Sequence, residues 1–197
     1  PGQFLWKPKG AVLRQIIEDY SKKAHSENGY DYAYTPHIGR SVLWETSGHL
    51  DYYKEGMFPP LKNQENDEEY YLKPMNCPFH ILIYKSDIRS YKELPLRYFE
   101  LGSVYRYEKS GVLHGLLRAR GFTQDDAHIF CTTDQIEEEI LNLLTFSIKL
   151  LKSFGFDSIE ADLSTRPDNS IGNSDDWEKA TNSLMSALEN QDISYVT

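Results

Sequence analysis

The chain has 197 residues, 40% of them hydrophobic and 13% aromatic, enough to bury a core and unlike a disordered segment. No apolar run is long enough for a membrane span and no secretory leader opens the chain, so a cytoplasmic protein without membrane association is expected. A formal net charge of −9 argues against broad binding of nucleic acid through its phosphates. Two cysteines, Cys77 and Cys131, are too few for a disulfide scaffold and leave metal binding or burial as their uses.

Pro8 followed by Leu13, Ile16, Ile17, Tyr20 and Ala24 predicts an amphipathic helix that Gly29 stops. Tyr30 to Tyr34 predicts a strand running into Thr35-Pro36-His37-Ile38, with Pro36 at a strand edge or an interface. Ser41 to Tyr53 reads as a short helix and a loop, Pro59 to Glu69 as a polar, acidic connection, and Tyr70-Tyr71-Leu72-Lys73 as a strand. Cys77-Pro78 opens a helix, since proline suits a first turn, and Phe79 through Lys85 continue it. Tyr98 to Glu108 and Leu117 to Phe130 predict two antiparallel strands around a loop containing Gly111 and Gly115. Thr132 with Gln135 forms a capping-box pattern ahead of a long helix striped by Ile136, Ile140, Leu143, Leu144, Leu151 and Phe154 and ending near Gly155. Asp157 to Leu163 alternates as a strand, Ser174 caps a last helix through Trp177, Ala180, Leu184 and Leu188, and Ile193 to Val196 begins another strand. With no repeat or linker, one α+β domain over residues 1–197 is expected, cut short at its end.

Arg106 to His128 carries the densest chemistry. At the two-residue period of a strand, Arg118, Arg120, Phe122, Gln124, Asp126, His128 and Phe130 share one face, while the mostly smaller Leu117, Ala119, Gly121, Thr123, Asp125, Ala127 and Ile129 share the other. A solvated strand favours Thr, Lys and Glu, whereas cations, a carboxamide, a carboxylate, an imidazole and a ring in series suit the floor of a cleft. Between Ser103 and Gly121, Arg106, Lys109, Arg118 and Arg120 stand against Glu108 alone, four charges minus one. An anion bound there would be small: a nucleotide phosphate or the end of an RNA. Cys77 and His128, though distant in sequence, are ligand types that zinc prefers.

Set in order, Thr35-Pro36, Lys73-Pro74-Met75-Asn76-Cys77-Pro78-Phe79-His80 and the Arg106 to His128 segment resemble the catalytic core of the threonyl-tRNA synthetases, nearly end to end. The helix and strand ending at Pro36 resemble the first class II synthetase motif, and the strand-loop-strand from Tyr98 to Phe130 the second. Lys73 to Pro78 and Phe122 to Phe130 point to the threonine enzymes. The resemblance implies an α+β fold with a largely antiparallel sheet flanked by helices, and a reaction that joins threonine to ATP and then to tRNA(Thr). It gives Arg106, with Mg2+, the task of stabilising charge on the α-phosphate, Glu108 that of reading the adenine amino group, and Phe122 that of stacking on the base. Arg118 falls in the nucleotide and acceptor-end region. Cys77 and His128 become zinc ligands, joined in the family by a histidine that lies in sequence beyond Thr197 and by the amino and hydroxyl groups of threonine. Met75, Gln124 and Asp126 resemble residues that hold threonine, Asp126 being suited to its ammonium or hydroxyl. His49, in Thr46-Ser47-Gly48-His49, resembles the histidine that assists transfer to the terminal ribose.

Of the other histidines, a helix would point His80 away from the zinc position, His114 suits loop conformation or a tRNA contact, and His37 and His25 carry no role. A third class II motif, an anticodon-binding domain and an editing domain lie outside the chain, so it is expected to be inactive alone and its parent to be a homodimer paired around Pro36. Two other readings are a non-catalytic synthetase-like module that binds nucleotide, RNA or protein, and another class II synthetase, prolyl or seryl.

Overall fold

In the computed structural model, which describes residues 1–168, 170 and 172–197, the chain divides into two compact units. The first holds residues 1–89 and 97–128, and the second residues 90–96 and 129–197.

Pro8 sits in the first turn of α1 (Pro8–Glu27), where a missing amide costs nothing. Gly29 leaves that helix at φ +78°, a left-handed turn that glycine adopts without strain. The chain then enters β1 (Asp31–Tyr32), which pairs in parallel with β5 (Leu96–Tyr105), and β5 neighbours β6 (Gly121–Phe130). Ser103 faces Thr123 and the Arg106 amide donates to the Arg120 carbonyl, so β5 and β6 run in opposite directions. β1 is shorter than the strand expected from Tyr30 to Tyr34. Ala33 N–H still reaches the Phe99 carbonyl, but Thr35 N–H donates to the Glu100 carboxylate, a side chain replacing the ladder.

Helix α1 covers the odd-numbered face of the strands. Arg14 Nη2 donates to Thr123 Oγ1 at 2.8 Å, Ser21 Oγ to Asp125 Oδ2 at 3.3 Å, and His25 stacks on Phe99 with centroids 3.7 Å apart. Across the sheet the even-numbered face meets the segment Lys73 to His80. There Lys73 is pinned by its own amide on the His37 carbonyl and by the Tyr105 amide on its carbonyl. Gly102 is required in β5, because a Cβ at that position would collide with the side chain of Asn76.

A second sheet sets β2 (Ile38–Arg40) and β3 (Leu61–Lys62) antiparallel to either side of β4 (Glu69–Leu72). β3 lies inside the expected acidic connection. Asn63 and Asn66 accept the Glu65 and Glu68 amides through their side chains, local turn bonds that fold a polar segment into a hairpin. The short helices α2 (Ser41–Thr46) and α3 (His49–Tyr52) complete a core of Trp44, Met57, Tyr71 and Phe79 together with α4 (Cys77–Lys85).

In the second unit the Thr132 and Gln135 capping box forms, and α5 (Ile136–Ser153) packs on α6 (Ser174–Asn190). The cap of α6 is Asn173, whose side chain accepts the Asp176 amide at 2.8 Å, rather than Ser174, which lies inside the helix. Of the strand expected over Asp157 to Leu163, β7 retains Ala161–Asp162, parallel to β8 (Tyr195–Val196). Among the described residues no helix is long and apolar enough to cross a membrane.

Candidate active site

A cluster of buried charge lies beneath the even-numbered face of β5. Lys73 and Glu100 are each 1% exposed, with Nζ 3.5 Å from Oε1. Thr35 joins them: its amide and hydroxyl donate to Glu100 at 3.0 and 2.7 Å, and Lys73 Nζ donates to its Oγ1 at 2.7 Å. His80, fully buried on α4, places Nε2 3.4 Å from Glu100 Oε1. Burial alone would raise the Glu100 carboxyl, but the His80 ring, Thr35 and the Lys73 charge outweigh it and hold the group at about 2. Burial pulls the Lys73 ammonium down, against the Glu100 charge.

Above this base, α4 and β6 bring three expected site residues, Cys77, Asp126 and His128, into one neighbourhood. Asn76 donates to Asp126 Oδ2 at 2.9 Å, and His128 Nδ1 meets His80 Nδ1 at 2.9 Å. Helix α4 therefore points His80 toward His128, contrary to expectation, because position 80 follows Asn76 and Cys77 by about one turn on the face that packs on the sheet. Cys77 is half-buried at the start of α4. Burial pushes its thiol up, and the nearby Asp126 charge adds to this. The half-buried His128 imidazole is lowered, mainly by burial, with Asp126 opposing. Cys77 and His128 thus share Asp126 as a neighbour. Among the described residues no three His, Cys, Asp or Glu side chains are grouped closely enough to hold a metal by themselves.

At the end of β5, Arg106 is half-buried, its Nε donating to the Pro74 carbonyl at 3.2 Å and its guanidinium 5.3 Å from the centroid of Phe122. Two residues on, Glu108 takes both Nε and Nη2 of Arg118 on one carboxylate oxygen, each at 3.1 Å. That pair is partly exposed and is worth about 0–1 kcal/mol to stability. It lines a cavity of about 280 Å³ with Tyr53, Gly56, Tyr107 and Lys109. Arg118 and Arg120 are not strand residues. Arg120 is held by bonds from its Nε to the Glu108 carbonyl and from Nη2 to Ser110, and its amide donates to the Gly2 carbonyl. His49 opens α3, with Nδ1 2.8 Å from Ser47 Oγ and its ring edge-on to Trp44; burial lowers it. It touches Tyr53, which also lines the cavity beside Glu108.

Four of the expected residues thus pair with one another, Arg106 with Phe122 and Glu108 with Arg118, while Asp126 and His128 pair with Asn76 and His80, which were not expected. Met75 and Gln124 are half-buried nearby in sequence, without a hydrogen bond to another described side chain. A larger cavity, about 720 Å³, lies on the α1 side between Trp6, Leu13, Arg14 and Asp125, and reaches Phe122 but none of Cys77, Asp126 and His128. Lys73, Asn76, His80 and Glu100 went unassigned in the sequence. The first three lie in the string that carried the resemblance, whereas nothing marks Glu100 as buried.

Residues 57–196 match the family model described as tRNA synthetase class II core domain (G, H, P, S and T). Over 194 residues, 98% of the chain, it is 58% identical to threonine–tRNA ligase of Aquifex aeolicus (strain VF5) and 55% identical to that of Sulfurihydrogenibium sp. (strain YO3AOP1). The chain spans 30% of the length of each. A crystal structure described as the RNA binding domain of threonyl-tRNA synthetase from Cryptosporidium parvum Iowa II superposes with a TM-score of 0.91 at 39% identity, covering 100% of this chain and 48% of that one.

Proposed function

Because the chain belongs to the class II tRNA synthetase core family and its relatives are threonine–tRNA ligases, we propose that it carries the site at which threonine reacts with ATP to give threonyl-adenylate and is then passed to tRNA(Thr). The observation that carries this reading is the run of paired groups along the even-numbered face of β6, Phe122 with Arg106, Asp126 with Asn76 and His128 with His80. The chemistry needs what that face offers. Attack of the threonine carboxylate on the α-phosphorus gathers negative charge, and a guanidinium already fixed by Pro74 stabilises it without reorganising. Phe122 takes the adenine ring, Glu108 its amino group, and Arg118 the nucleotide or acceptor end; Mg2+ accompanies ATP.

At the other end of the strand, Asp126 takes the threonine ammonium or hydroxyl, with Met75 and Gln124 walling the pocket. Cys77 and His128 would hold a zinc ion, and their donor chemistry fits it: a half-buried thiol that burial keeps protonated becomes a thiolate beside a divalent cation. Zinc, when bound, supplies a Lewis-acidic position that distinguishes a hydroxyl from a methyl group. Valine has threonine's shape without its hydroxyl, and a site that engages the hydroxyl rejects such an analogue far better than an apolar pocket does. His49, lowered by burial, suits a general base for transfer to the terminal ribose. A homodimer belongs to the same reading, supported by Val12, Leu13, Ile16 and Tyr20 exposed along α1 and by Tyr34 and Ile38 exposed beside Pro36.

Phe122→Ala in the intact protein tests the nucleotide half. Loss of a stacking ring costs about 1–3 kcal/mol, so KM for ATP in threonine-dependent pyrophosphate exchange should rise roughly 5- to 150-fold while KM for threonine changes little. An unchanged KM for ATP would place the base elsewhere.

A further inference from the structure

The contact between His80 and His128 has a direction. Their Nδ1 atoms lie 2.9 Å apart with the rings at 85°, and a hydrogen bond between two imidazole nitrogens needs one proton, so one ring donates and the other accepts. The other nitrogen of His80, Nε2, is buried 3.4 Å from Glu100 Oε1, outside hydrogen-bond geometry but facing the carboxylate charge, and has no other polar partner among the described residues. Glu100 is surrounded by donors, the Thr35 amide and hydroxyl and the Lys73 ammonium, and a carboxylate so placed can only accept. A lone pair on Nε2 would face that negative charge in a buried site, so the His80 proton belongs on Nε2, beside Glu100. Its Nδ1 accepts, and the proton between the two rings belongs to Nδ1 of His128. That leaves the lone pair of His128 on Nε2.

We propose that His80 is a positioning residue: the series Glu100, His80, His128 locks His128 in the Nδ1–H tautomer and keeps its Nε2 bare, ready to coordinate a metal ion. Imidazole ligands of metals commonly owe their tautomer and orientation to such a partner on the other nitrogen. Here the partner is itself a histidine, oriented in turn by a buried carboxylate. The tautomer stands on the geometry alone, while its use in metal binding rests on the reading of His128 as a zinc donor.

The test uses the metal-free intact protein labelled with 15N-histidine, in buffer alkaline enough to keep the rings neutral. Long-range 1H–15N correlations, with His128 assigned by His128→Gln, should show Nδ1 of His128 protonated and Nε2 pyridine-like. His80→Phe preserves ring volume and removes both nitrogens; it should release His128 to a mixture of tautomers and weaken zinc retention, read by competition with a chelating dye, about 10- to 100-fold. His80→Asn, whose Oδ1 can accept in place of Nδ1, should restore part of both. A wild-type His128 that carries its proton on Nε2 overturns the proposal. A folded His80→Phe chain with unchanged zinc retention overturns the functional consequence. Wild-type intact protein that shows the Nδ1–H tautomer but retains no zinc contradicts the metal reading and leaves the relay standing. Should His80→Phe fail to fold, the wild-type spectrum alone decides.

Discussion

Replacing Arg106 by alanine is expected to lower threonine-dependent ATP–pyrophosphate exchange by the intact protein about 10²- to 10³-fold, the usual loss when one fixed donor to a developing oxyanion is removed. The loss should fall on kcat more than on KM for threonine, because the groups assigned to threonine lie toward the far end of β6. Arg106 is suited to the task because it is held before any ligand arrives: Nε is bonded to the Pro74 carbonyl and the guanidinium sits over the Phe122 ring, leaving its outer nitrogens for a phosphate. Arg106→Lys should recover little, since an ammonium keeps the charge but lacks the planar fork and the bond to Pro74. Urea unfolding of the same variants separates the roles. Near-normal exchange with reduced stability would make Arg106 a structural residue.

Glu100→Gln should cost about 3–5 kcal/mol of folding stability, because it leaves the Lys73 ammonium buried without a counter-charge. Its pH dependence identifies the cause. The unfolded chain binds a proton on this carboxyl near 4.5 and the folded chain near 2, so the contribution is complete above 4.5 and disappears as pH falls from there through 2. Wild-type urea midpoints should drop steeply over that window, and the Glu100→Gln midpoints should not. An earlier, shallower decline below 6.5 belongs to His25, His49 and His128, each lowered mainly by burial, so that the unfolded chain is protonated first. Equal acid sensitivity of wild type and Glu100→Gln would contradict the ionised buried pair.

The alternation of Phe122, Gln124, Asp126 and His128 was legible because a strand has a period of two and its faces meet different partners: α1 touches Thr123 and Asp125, while Arg106, Asn76 and His80 touch the even-numbered residues. The same period extended too far. Arg118 and Arg120 match it in sequence, but the ladder ends where Arg106 meets Arg120 and the chain beyond is held by side-chain and terminal contacts. Helices announced themselves through apolar spacing and proline at their starts, as in α1 and α4. The hairpin at β3 did not, since its turn rests on asparagine side chains in an acidic run. Least legible was the buried base of the site. Lys73 and Glu100 are ordinary surface residue types, and only the fold, by bringing Thr35, the segment after β4 and α4 against β5, makes them partners of each other and of His80.

The central claim, a threonine-activating site, is tested most directly by amino-acid-dependent ATP–pyrophosphate exchange with the intact protein, comparing threonine, valine, serine and proline. Rapid exchange with threonine, far slower exchange with valine and none with proline is the expected pattern, with serine intermediate because it keeps the hydroxyl. Exchange that favours proline or serine over threonine, or ATP binding with no exchange for any of the four, would contradict it.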